Sequence, residues 1–152
     1  MDNIIVSACL LGRGCRYDGV SKPPCEAVLK LKEKFNLIPV CAEDLGGLPT
    51  PRTSAEIVGD KVIRKDGVDV TYEYETGAKK VLDIAVKYGC RAAVLKSKSP
   101  SCGHGRIYDG TFTKTLTEGN GKCAALLIKN GIEVFDETET EQLVKYYEDN
   151  SN

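Results

Sequence analysis

The sequence predicts an α/β fold: an open, mostly parallel sheet with helices on both faces, a three-layer arrangement of the Rossmann-like or flavodoxin-like kind. Two observations carry this. Short apolar runs rich in β-branched residues alternate with segments of helical periodicity, and the runs are continuous, as in strands covered on both faces. The chain has 152 residues, which makes a single domain over 1–152, with a core that removes roughly two thirds of the unfolded surface from water.

Ile4 to Ala8 is the first buried-type strand, and Leu10 to Lys22, rich in Gly and charge, reads as a loop. Glu26 to Phe35 places Val28, Leu29, Leu31 and Phe35 near helical spacing, with Pro23 and Pro24 at its start, where proline is tolerated. Leu37 to Cys41 is a second strand, Leu45 to Arg52 a turn-rich loop, and Ile57 to Ile63 a small hairpin around Gly59-Asp60. Thr71 is placed to cap a helix in which Tyr74, Ala78, Val81, Leu82, Ala85 and Tyr88 recur at helical spacing and which Gly89 ends. Ala92 to Leu95 is the third strand, and Lys96 to Thr117 a polar loop of a length that usually carries function. Ala124 to Lys129 is helical and stops at Gly131, and Ile132 to Phe135 is the fourth strand. Thr138 and Glu141 form a capping box for a last helix through Tyr147.

The composition is that of a globular protein, with 41% hydrophobic and 28% charged residues, which excludes disordered and fibrous classes. Twenty-one basic residues against 22 acidic leave no bulk electrostatic claim on nucleic acid or anionic membrane. No apolar run approaches the ~18 residues of a membrane span, and the first residues lack the basic region of a secretory signal. The expected location is the cytoplasm, where thiols stay reduced. Seven cysteines against one histidine are then the anomaly, and an odd number excludes complete disulfide pairing.

Ligands of open α/β sheets bind beyond the carboxyl ends of the strands. Cys9 follows the first strand, Cys41 ends the second, and Cys102 lies in the loop after the third, so all three are expected at one sheet edge. Thiolate-only ligation selects zinc, copper(I) or iron–sulfur, and three thiolates leave a coordination position open, as in a catalytic centre. No C-x-x-C pair occurs, which excludes a zinc ribbon and a thioredoxin-type motif. Cysteine is also a common filler of cores, the reading for Cys25, Cys90 and Cys123, whereas Cys15, in a Gly- and Arg-rich loop, is a further candidate for the site. Glu43, two residues after Cys41, is placed to act as general acid or base beside a metal. Ser97, Ser99 and Ser101 flank Pro100 and would position substrate or water, or merely cap turns. Lys96 and Lys98 would bind an anionic group, Arg16 and Arg52 would clamp a polar substrate, and His104 sits in a flexible Cys102-Gly-His-Gly stretch. Arg91, Lys96, Lys98 and Arg106 together would make a local basic patch.

Three blocks carry a family resemblance: Val6-Ser-Ala-Cys-Leu-Leu-Gly12 with Cys15-Arg-Tyr-Asp-Gly19; Cys41-Ala-Glu-Asp-Leu-Gly-Gly-Leu-Pro-Thr-Pro-Arg52; and Lys96-Ser-Lys-Ser-Pro-Ser-Cys-Gly103 with Ile107-Tyr-Asp-Gly-Thr-Phe112. Together they resemble a bacterial family, long known only as a domain of unknown function, that is associated with thiouracil desulfidases. The likeness covers nearly the whole chain and departs where the family usually reads Cys-Pro-Glu and this chain has Ala42. The resemblance implies an oxygen-sensitive [4Fe-4S] cluster held by three cysteines, matching Cys9, Cys41 and Cys102. Protein prepared in air is then expected to lose it or to carry zinc. It also implies a catalytic carboxylate at Glu43 and a catalytic serine at Ser99, with Ser101 as the other candidate. The substrate would be a small thiolated base such as 2-thiouracil, desulfurated without net electron transfer to give hydrogen sulfide. Two rival readings stand beside it: Cys9 or Cys102 as a nucleophile with His104 as base, and a metal- or cluster-binding sensor or sulfur carrier without turnover.

Overall fold

The computed structural model describes residues 1–14, 17–20 and 22–150. Four strands form one parallel sheet: β1 (Asp2–Ser7), β2 (Phe35–Val40), β5 (Ala92–Leu95) and β8 (Glu133–Asp136), in the order β2-β1-β5-β8. The chain steps from β1 outward to β2 and then returns to the other side of β1, so the topological switch lies between β1 and β5. The register runs Asp2↔Phe35 through Ser7↔Val40 on one side of β1 and Ile5↔Ala93, Val6↔Val94 on the other. β5 pairs β8 from Ala92↔Glu133 to Leu95↔Asp136. Pro39 is accommodated because β2 is an edge strand.

Successive side chains of each strand enter opposite layers. Ile5, Ala93, Leu95 and Val134 pack under helices α3 (Thr71–Lys87) and α4 (Lys122–Lys129), against Ala78, Val81, Ala85, Cys123 and Leu127. Ile4, Val6, Ala92 and Val94 face the other way, onto Val28 of α1 (Glu26–Leu29) and onto Leu143 and Tyr147 of α5 (Thr140–Asn150). The expected three layers are therefore present. Two antiparallel hairpins stand outside the sheet: β3 (Ala55–Val58) with β4 (Lys61–Arg64), and β6 (Arg106–Tyr108) with β7 (Leu116–Glu118).

Several local expectations are corrected. The helix over 26–35 is a single turn, α1, running into a 3-10 turn at Lys30–Glu33, and Phe35 opens β2 instead. Its ring lies 4.8 Å from that of Tyr147, so tertiary packing overrides the helical spacing. The long loop expected over 96–117 gives way to the β6–β7 hairpin, which runs on to Glu118. Thr71 does not cap its own helix: its hydroxyl accepts the Val62 amide at 2.8 Å, tying the β3–β4 hairpin to α3. The capping exchange before α5 belongs to Asp136 and Glu139, whose Oε1 accepts the Asp136 amide at 3.1 Å, and Thr138 donates to Asp136.

The piece of the fold that matters most for the site is α2 (Ala42–Leu45), the single turn after β2. It lies backbone to backbone on α3. A Cβ on Gly77 would stand 1.8 Å from the Ala42 carbonyl oxygen, and one on Gly46 would stand 2.0 Å from that of Glu73. Glycine inside α3 costs about 1 kcal/mol of helix propensity, and here it admits this contact. Gly77→Ala should cost at least ~3 kcal/mol, because backbone cannot move aside as a side chain can. Thermal unfolding should register a fall in Tm of roughly 6–12 °C; an unchanged Tm would show that α2 tolerates displacement.

Candidate functional site

Beyond the carboxyl ends of β1, β2 and β5 opens a cavity of about 570 Å³, within the range of roughly 300–1,000 Å³ typical of small-molecule sites. Cys9, Cys41 and Cys102 all line it, together with Glu43 and Ser99. Each arrives from a different element. Cys9 sits in the 3-10 turn Ala8–Leu11 that follows β1, Cys41 is the residue between β2 and α2, and Cys102 lies in the loop after β5. The convergence expected from strand topology is thus met. Among the described residues no three His, Cys, Asp or Glu side chains are grouped closely enough to hold a single metal ion.

Ser7 joins two strand ends. Its hydroxyl accepts the Lys96 amide at 2.9 Å and donates toward Cys102 Sγ at 3.5 Å. Ser99 fixes the same cysteine from its own loop, its Oγ accepting the Cys102 amide at 2.6 Å. Burial pushes the Cys102 thiol up to about 12, against the lowering effect of the Ser7 hydroxyl. A thiol in that state ionises when a cation is bound beside it. Thiols line the cavity and the one imidazole does not, so the donor set is soft and suits an iron–sulfur group.

Glu43 is held rather than loose. Its Oε2 pairs with an Nη of Arg52, whose side chain is only 5% exposed. Arg52 also donates to the Pro49 carbonyl at 3.0 Å and the Thr50 hydroxyl at 2.9 Å. Burial pulls the guanidinium pKa down, but the Glu43 carboxylate outweighs it and holds Arg52 above its ordinary value. Tyr74 of α3 also lines the cavity; burial first, and the Glu43 charge second, raise its phenol. Arg52 is therefore paired with the carboxylate and does not itself line this cavity.

The remaining candidates divide. Lys98 lines the cavity and is exposed, and Lys96 lines it but pairs with Glu137 at 2.9 Å. Ser101 is 1% exposed, is not among the lining residues, and offers its carbonyl to the Cys123 amide at the start of α4. His104 pairs with Glu139 at 3.4 Å, outside the lining, so among the described residues the geometry gives no cysteine–histidine nucleophile pair. The basic patch is not assembled: Arg91 lies over the Tyr147 ring at 4.8 Å, at the opposite end of β5 from Lys96. Cys90 and Cys123 are buried in the core and Cys25 packs against it, as expected of fillers. Cys15 and Arg16 lie outside the described residues.

Sequence reasoning overlooked Ser7, Tyr74 and Glu137. Ser7 sits two residues before Cys9 in a recognisable block, which was the available signal. Tyr74 had the spacing of an ordinary core position. Glu137 gave no local sign, since its partners are 40 residues away: it accepts the Ser97 amide at 2.9 Å and the Ser97 hydroxyl at 3.1 Å besides the Lys96 ammonium.

The family model described as 2-thiouracil desulfurase matches residues 4–139. The chain belongs to that family. A protein of Bacillus subtilis (strain 168), the uncharacterized protein YbbK, is 40% identical over 151 residues, covering 93% of this chain and 99% of the relative. The solved structure of the [4Fe-4S]-dependent thiouracil desulfidase TudS superposes with a TM-score of 0.89 at 43% identity, covering 97% of this chain and 99% of that one. The α/β fold and the resemblance read from the three blocks are both borne out. Among the described residues no helix is long and apolar enough to cross a membrane.

Burial alone would raise the Glu137 carboxyl, but the bonds from Lys96 and the Ser97 amide outweigh it and hold it below its ordinary range. Its contribution is therefore complete above the unfolded value of about 4.3 and is lost as pH falls through the lower folded value. Glu137→Gln should destabilise the protein by about 1 kcal/mol at neutral pH. Urea unfolding at stepped pH should show the gap from wild type closing below about pH 4; a gap independent of pH would remove charge from the account.

Proposed function

We propose that this chain desulfurates a small thiolated pyrimidine such as 2-thiouracil by hydrolysis, giving the oxo base and hydrogen sulfide, with Cys9, Cys41 and Cys102 as ligands of a [4Fe-4S] cluster. One observation carries the reading: three cysteines from three strand ends line one cavity with Glu43 and Ser99. The family and its iron–sulfur-dependent structural neighbour support it. When bound through three thiolates, such a cluster supplies an open Lewis-acid iron with an affinity for soft thiocarbonyl sulfur.

This chain's own residues supply the rest. Glu43 takes a proton from water as its oxygen adds to the C=S carbon, and returns one to the departing sulfur. No electron is gained or lost: a C–O bond replaces a C–S bond. Arg52 holds Glu43 Oε2 in place, so the carboxylate works from a fixed position. Ser99 Oγ accepts from the Cys102 backbone, which leaves its proton to donate to the substrate or the attacking water. Ser99 is preferred over Ser101 for this because Ser99 lines the cavity. Lys98 borders the cavity and binds the polar edge of the base.

Protein purified without oxygen should hold about four irons and four sulfides per chain and release sulfide from 2-thiouracil. Cys9→Ser, Cys41→Ser and Cys102→Ser should each lose both colour and activity; any one that keeps both is not a ligand. Glu43→Gln should lower kcat by roughly 10²–10⁴-fold with iron content unchanged. Full turnover by this variant would transfer the proton work elsewhere.

A further inference from the structure

Three non-glycine residues of the described chain have positive φ: Lys98 at 71°, Phe112 at 59° and Lys114 at 61°. All three line the cavity. The left-handed region is disfavoured for a residue with a Cβ, and most for a bulky one, so it persists only where the surroundings impose it. At Phe112 the imposing group is identifiable.

Glu56 of β3 is 8% exposed, and its Oε1 accepts the amides of Gly110 at 2.9 Å and Phe112 at 3.2 Å. A carboxylate taken from water needs such donors. Here they come from the loop between β6 and β7 and not from its own hairpin. The loop is also seated closely. A Cβ on Gly110 would stand 2.7 Å from the Ile57 carbonyl oxygen. A run of side chains stiffens it further: Thr111 Oγ1 donates to Asp109 at 2.6 Å and meets Thr113 Oγ1 at 2.6 Å, and Thr113 meets Thr115 at 2.8 Å. Phe112 is thus presented to the cavity on a braced loop and is itself half-buried.

We propose that Phe112 is a specificity-determining residue, its ring packing on the flat face of the substrate base, and that Glu56 is the positioning residue that aims it. This rests on the desulfuration reading for the nature of the substrate. An aromatic ring on a base face discriminates planar heterocycles from aliphatic thioamides, which a thiolate-lined cavity alone would not. Glu56 acts only through the two amides it binds.

The test uses the cluster-loaded enzyme with four variants. Phe112→Ala should raise KM for 2-thiouracil about tenfold while kcat stays within about twofold. Phe112→Leu, which keeps the bulk and loses the ring, should fall between. Glu56→Ala should reproduce the Phe112→Ala effect, and Glu56→Gln should approach wild type because its carbonyl accepts the same two amides. The double variant Glu56→Ala/Phe112→Ala should be no worse than Phe112→Ala alone; additive losses would overturn the positioning role. Two readouts are independent of turnover. Trypsin should cut after Lys114 faster in Glu56→Ala than in wild type, and equilibrium dialysis should show weaker uracil binding in both alanine variants. An unchanged KM and unchanged uracil binding in Phe112→Ala would overturn the inference outright. A wild-type enzyme that binds uracil but releases no sulfide would defeat the desulfuration reading alone. One that does neither defeats both.

Discussion

The parallel pairing of β1 with β2 on one side and β5 on the other governs where the reactive groups of this chain stand. Parallel strands end at the same edge, so the residues that follow them are brought together whatever their separation in sequence. Cys9, Cys41 and Cys102 are spread over more than ninety positions, yet each needs only to lie a few residues beyond a strand. The strands are secured by side chains buried on both faces, so the edge inherits the rigidity of the core. Ser7, at the last position of β1, ties that edge together by bonding both the Lys96 amide and the Cys102 sulfur.

The second constraint is electrostatic. Glu43 and Arg52 form a largely buried pair, and such pairs gain little stability over apolar packing, while removing one partner costs roughly 3–5 kcal/mol. A pair of this kind serves geometry more than stability. Glu43 is tethered through α2 to the backbone of α3, and Arg52 reaches it from the following loop. A carboxylate so placed keeps one orientation at the cavity wall.

Much of this was legible in the sequence. Buried-type runs gave the sheet, and the strand-end rule gave the shared edge for the cysteines. The misjudged parts have a common cause: they depend on partners distant in sequence. Phe35 has helical spacing but is claimed by Tyr147. Thr71 stands where a cap belongs but serves Val62. Arg52 carries the charge of a substrate clamp and is found paired with Glu43. The β6–β7 hairpin is too short and too polar for periodicity to reveal, and Glu56 and Glu137 show nothing locally because each braces a loop far along the chain. The distinction between Ser99 and Ser101 rests on which way neighbouring residues of one loop are turned, which spacing does not encode.

The contact between Gly46, Gly77 and the facing carbonyls of α2 and α3 also bears on redesign. Two backbones in such proximity have no slack, so neither element drifts without the other, and the Glu43 end of the cavity is closed to stepwise adjustment. Another part of the lining comes from the loop between β6 and β7, braced by Glu56 and by side chains of its own. Changes to this cavity are therefore to be sought in the segment 109–115, between β6 and β7, where one residue can be exchanged without moving a helix.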